Sequence, residues 1–280
     1  MEENTTLLKT PCLNCGASAK GNFCHECGQS MRDNSDRSIS RLLGDFLSNV
    51  FFLDNRFFLS VWYLIRFPGR MTIEFLDGKR KRFISPVGLF LFINVIYFFV
   101  SPLSDYSLSL EDQFYSQPYS SWIKELIVDK IETEGLESKA YGIIYQNASD
   151  NISKSVMILN IPLIAFFVYL MTFKRRRFYY DSLIFAFHFF SLFLASLVIL
   201  DWVGKLFDFL PESVSIIFDN NSYFLFAFAL PLLFAMISIK KFIVIRWHLA
   251  ILASLGVFIS VFLTNLIYRF IIFFLAFWVT

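Results

Sequence analysis

Apolar residues recur at helical spacing from about position 40, and from position 83 they merge into long runs. ISRLLGDFLSNVFFLD sets Leu42, Leu43, Phe46, Leu47, Val50 and Phe51 on one face of a helix, with Arg41, Asp45, Ser48 and Asn49 elsewhere on the wheel. That predicts an amphipathic helix too short and too charged to cross a bilayer. NRFFLSVWYLIRFPGR continues the pattern between Arg56 and Arg66 and stops at Pro68-Gly69. MTIEFLDGKRKRF follows as a short helical piece that ends in Lys79, Arg80, Lys81 and Arg82. Aromatic helices fringed by basic residues suit the membrane interface, so 40–82 is read as cytoplasmic interfacial helices.

Five later runs approach the roughly 20 apolar residues that a hydrocarbon core demands. They lie at 83–102, 155–173, 182–200, 222–239 and 247–268, and the last continues through Arg269 into FIIFFLAFWVT. The spacing leaves two paths open for that tail, one long tilted helix or a bend along the interface. Between the first two runs, 103–154 forms an outer loop. Trp122, Leu126, Ile127 and Ile131 recur there at helical spacing, predicting one or two amphipathic helices.

Charge sets an orientation. Lys79 to Arg82, Lys174 to Arg177, and Lys240, Lys241 and Arg246 all fall on one side of a five-span chain, and the opposite loops are acidic on balance. The positive side is cytoplasmic. The N-terminus is therefore expected in the cytoplasm and Thr280 outside. MEENTTLLKT has neither the basic start nor the apolar stretch of a secretory signal, so no cleavage is expected.

Composition excludes an ordinary soluble domain: 56% of residues are hydrophobic and 37 are phenylalanine, more than a water-facing surface accommodates. The chemistry sits ahead of the helices. CLNCGASAKGNFCHECGQ places Cys12, Cys15, Cys24 and Cys27 in two C-x-x-C pairs, each followed by a glycine, Gly16 and Gly28. Two disulfides or an iron-sulfur cluster are the competing readings. Doubled knuckles and the expected reducing compartment favour a Zn²⁺ ribbon. Such a closed shell folds residues 1–30 and activates no water. His25 lies inside the second pair and is read as a bystander. Residues 10–30 hold Lys20 as their one basic residue, which argues against nucleic acid as a partner. Polar residues 31–39 form a linker.

The ribbon ending in CGQ, together with FFLDNRFF, RFPGR and GKRKRFISPVGLF between 46 and 90, resembles the bacterial zinc-ribbon membrane proteins of the domain of unknown function 3667 family. The resemblance implies a bacterial inner-membrane location and brings no activity. FAFHFFS at 185–191 is similar to a family segment that often carries a second histidine at the position of Phe190, so only His188 remains of an H-x-H pair.

The expected fold is thus all-α and polytopic: a small zinc ribbon, a linker, interfacial helices, and a transmembrane domain over 83–280. Asp181 and His188, seven apart, share a helix face with Ser191 and form a candidate intramembrane polar site. Lys79, Arg80, Lys81 and Arg82 are candidate contacts for anionic lipid headgroups, or serve simply to fix topology. With three histidines and every cysteine assigned to metal, no catalytic constellation emerges. The leading expectation is a docking, scaffold or regulatory protein whose ribbon binds a cytoplasmic protein. A small-solute or ion transporter using Asp181 and His188, and a lipid-handling enzyme, are the alternatives. A topology reporter fused after Thr280 is expected to be active outside the cytoplasm and silent inside; the opposite pattern changes the number of crossings by one.

Overall fold

The computed structural model describes residues 10–19, 21–31, 38–40, 42, 44, 55–100, 108–175, 178–207 and 220–280. Most of the linker, most of the helix expected from ISRLLGDFLSNVFFLD, and Arg176 and Arg177 lie outside these residues. The described chain is helical apart from the ribbon, and it divides into two compact units, residues 1–101 with 165–258 and residues 102–164 with 259–280.

In the first unit, strands β1 (Thr10–Pro11) and β2 (Ser18–Ala19) pair antiparallel, with Thr10 opposite Ala19. Helix α1 (Asn55–Arg66) buries Phe57, Ser60 and Leu64 and ends ahead of Pro68, which has no N–H to continue the ladder. Gly69 turns the chain at φ +76° into the short helix α2 (Arg70–Leu76). Four of the seven residues of α2 are buried, namely Met71, Thr72, Glu74 and Phe75. A Schellman motif closes it: Lys79 N–H donates to Glu74 O and Gly78 N–H to Phe75 O. Gly78 takes the left-handed position that this motif requires, at φ +97°. Helix α3 (Pro86–Val100) starts with Pro86 in its first turn and Ser85 as cap, whose Oγ accepts from Gly88 N–H at 3.2 Å.

Helix α8 (Tyr179–Phe207) is the centre of this unit, and 72% of its most apolar stretch is buried. Phe90 of α3 lies 5.9 Å from Phe190, and Phe185 lies 5.0 Å from Phe242 of helix α9 (Asn220–Ile243). Ring pairs of this kind contribute about 0.5–1.5 kcal/mol each beyond their buried area, and they give the phenylalanine-rich sequence its packing role.

In the second unit, helices α4 (Leu110–Tyr115), α5 (Ser120–Glu134) and α6 (Ser138–Val156) build a core with Phe273 and Ala276. The stretch 103–154 therefore folds, with three helices among its described residues where one or two were expected. Its buried stripe on α5 is Ile123 and Ile127; Trp122 stays half exposed and packs its ring against Phe274 at 5.6 Å.

Among the described residues, three helical stretches are long and apolar enough to cross a membrane: Ser138–Thr172, Tyr179–Leu206 and Trp247–Val279. The first joins α6 through a 3-10 turn at Met157–Leu159 to helix α7 (Asn160–Thr172), so it begins well before the expected 155–173. The last is helix α10 (Trp247–Val279), which includes the tail after Arg269. Five spans are not shown. The described part of α3 runs 15 residues, and positions 101–102 of the expected first span lie outside the described residues. The 24 residues of α9 occupy the place of the fourth expected span and contain Pro231.

Gly69 marks a close backbone approach in the first unit, since a Cβ there would stand 2.7 Å from Ser238 Cα. Gly69→Ala is expected to destabilise the protein by about 2 kcal/mol or more, from backbone strain and helix displacement together. Gly135→Ala, at φ +65° with open space around it, isolates the strain alone and is expected to cost about 1 kcal/mol. Denaturation in detergent micelles measures the difference.

Candidate metal centre and associated polar sites

The two cysteine knuckles have the same backbone construction. Gly16 N–H donates to Cys12 O and Gly28 N–H to Cys24 O, both at 2.8 Å, while Cys12 N–H and Cys24 N–H close the far sides on Ala17 O and Gln29 O. Both glycines take positive φ, which is why a glycine follows each pair. This places Cys12 Sγ 3.6 Å from Cys27 Sγ and Cys15 Sγ 3.6 Å from Cys24 Sγ, with all four sulfurs within 4.8 Å of one another. Sulfurs about 2.3 Å from a tetrahedral ion would be about 3.8 Å apart, whereas a disulfide needs about 2.05 Å. The four thiols therefore fit a single metal ion. The backbone amides of Cys27, and behind it Glu26, turn toward Cys24 Sγ and hold its thiol down at about 6 against the opposing effect of desolvation. The cluster is uneven: against its bond to the Ala17 backbone, desolvation and the neighbouring thiols push Cys15 up to about 12, and desolvation pushes Cys27 up as well. His25 points outward beside Glu26, with its side chain 62% exposed.

Gln29, the residue after the second knuckle, is 3% exposed. Its side-chain amide bridges two backbone groups of the loop after α2: Nε2 donates to Gly78 O at 2.7 Å and Oε1 accepts from Arg80 N–H at 3.2 Å. Asn14, in the first knuckle, accepts from Arg82 N–H at 3.1 Å. Each knuckle thus supplies one amide side chain to the basic loop, and the ribbon is mounted on the helical domain in a defined register.

That loop spends part of its charge internally. Glu74, 5% exposed, accepts from Arg70 Nε and Arg82 Nη1, each at 2.9 Å. Arg82 also donates to Tyr63 OH at 2.5 Å and lies over the Tyr63 ring, and Arg80 lies over Phe75. Lys79 and Lys81, both half-buried, flank these anchored arginines.

The candidate polar residues of α8 have the following partners. Ser191 Oγ donates to Phe187 O of its own helix at 2.7 Å. Asp181, fully buried, lies in the first turn, where its Oδ2 accepts from Phe178 N–H at 3.4 Å. His188 finds its partner on another element: Nδ1 is 2.9 Å from Thr72 Oγ1 of α2. Sequence spacing could not show Thr72, which is 116 residues away. Gln29 had a local signal, its place directly after the knuckle, but one polar residue beside a metal loop says nothing of what it touches.

Residues 54–98 match the family described as Protein of unknown function (DUF3667). The similarity to this DUF3667 family covers less than half of the chain. The matched stretch is α1, α2, the basic loop and nearly all of α3, so the DUF3667 region is the platform on which the ribbon is mounted. No curated protein and no solved structure matches the chain.

Mounting the ribbon on the DUF3667 region shields Lys79 to Arg82, four adjacent trypsin sites. Gln29→Ala is expected to raise the rate of trypsin cleavage in that loop several-fold while metal content stays at one ion per chain. Cys12→Ser is expected to lose the metal and the protection together. Cleavage rate by mass spectrometry and metal content by elemental analysis check both.

Proposed function

We propose that this chain is a multi-pass bacterial inner-membrane protein of docking or regulatory type, with a zinc-loaded cytoplasmic ribbon that binds a protein partner. One observation carries the reading: Gln29 and Asn14 hold the ribbon to the basic loop, while Phe23 and Leu13 stay 62% and 47% exposed. An apolar pair on a rigidly mounted module loses little freedom when a partner covers it, which favours binding. Four thiolates suit Zn²⁺, whose role in a closed shell is to fold the ribbon. Lys79 and Lys81 remain available beside the mount for anionic headgroups, and both roles place the loop at the cytoplasmic surface.

A small-solute path through Asp181, His188 and Ser191 has less behind it, because the three side chains bond to separate groups. In cells dependent on the protein, Cys12→Ser/Cys15→Ser and Leu13→Asp/Phe23→Asp are expected to abolish function. Asp181→Ala and His188→Ala are expected to leave it largely intact. A photo-crosslinker at Phe23 should trap a discrete partner that the Leu13→Asp change releases without loss of zinc. Loss of function with His188→Ala but not with the ribbon variants would instead favour transport.

A further inference from the structure

His188 is 3% exposed, and its two ring nitrogens have unequal surroundings. Nδ1 is bonded to Thr72, whereas Nε2 is buried without a hydrogen-bond partner among the described residues. A ring nitrogen left so is unfavourable, and in most native interiors such a group meets an ordered water. The surroundings have room for one. A cavity of about 10 Å³ adjoins the ring, with Thr72, His188 and Ser238 in its wall and Phe185, Phe189 and Leu192 closing its apolar side. That is close to the smallest volume that admits a single water and too small for any larger ligand.

We propose that this cavity is a binding site for one ordered water, hydrogen-bonded to His188 Nε2. The chemistry is self-consistent for a neutral imidazole. With Thr72 Oγ1 donating to Nδ1, Nε2 carries the proton and donates to the water; with the other tautomer Nδ1–H donates to Thr72 and the water donates to Nε2. Either way the water completes a chain from α2 through the ring into the cavity wall, where Ser238 of α9 stands. Gly69 lines the same cavity and lets the α2 turn come within van der Waals distance of the Ser238 backbone, so the water site lies where three helices meet. The polar interior that sequence spacing suggested along one helix is here assembled across three, around a solvent molecule.

Magic-angle-spinning NMR of the full chain in lipid bilayers, with ¹⁵N-labelled histidine, tests the site directly. The three histidines are distinguished by His25→Gln, His248→Gln and His188→Gln. The expected result is magnetisation transfer from water protons to His188 Nε2 in the wild type, lost in His188→Gln and untouched by a soluble gadolinium chelate. Thr72→Val should shift the Nδ1 resonance while the water contact at Nε2 persists. A wild-type Nε2 with no transfer from water would overturn the proposal, because the cavity would then be dry. Transfer quenched by the chelate would also overturn it, because bulk solvent rather than one held water would reach the ring.

Discussion

A glutamine side chain that pairs with backbone as another strand would is the contact on which the relation between ribbon and helices depends. Gln29 is buried, donating to Gly78 O and accepting from Arg80 N–H, so both ends of its amide are satisfied by loop groups that also bond to each other at 3.0 Å. Two conditions make the contact available. The knuckle must be closed, because Gln29 O is itself the acceptor for Cys24 N–H. The loop must leave α2 at Gly78, because the Schellman turn there directs Gly78 O outward to the amide. Metal binding on one side and helix termination on the other thus meet in one side chain.

From that contact inward, polar groups on the first unit are used in pairs rather than spread. Glu74 gathers Arg70 and Arg82, Ser60 passes from Arg56 O to Ile84 N–H, and Thr72 meets His188. Each pairing ties the α1 to α3 region either to itself or to α8. Buried polar groups are costly alone and inexpensive in matched sets, so a short helix such as α2 can sit with most of its residues buried. The phenylalanines fill the space between these pairs.

Much of this was legible beforehand. The knuckles followed from spacing and glycine, the stop after α1 from Pro68-Gly69, and the all-helical membrane class from the apolar runs. Span count was not, because hydropathy measures how apolar a run is and not where a helix starts. Ser85 and Pro86 set the start of the helix within 83–102, whereas polar residues from 138 onward extend the next helix far beyond its apolar half. On α5 the spacing implicated Trp122, Leu126, Ile127 and Ile131; Ile127 is buried and Ile131 packs against the same core, but Ile123 rather than Trp122 completes the buried pair, since neighbouring positions on a helix differ in burial only once a partner takes a side.

What the sequence determined by itself is local: four thiols at knuckle spacing, glycines at the turns, helix stops, and too much apolar surface for water. These depend on residues within a few positions of each other, whose geometry the backbone enforces. What only the tertiary structure decided is partnership. Gln29 with Gly78 and Arg80, and Thr72 with His188, join residues 49, 51 and 116 positions apart, and no periodicity records a contact made by packing. The same holds for Asp181, His188 and Ser191: one helix face lines them up, but spacing does not give their hydrogen bonds to Phe178, Thr72 and Phe187.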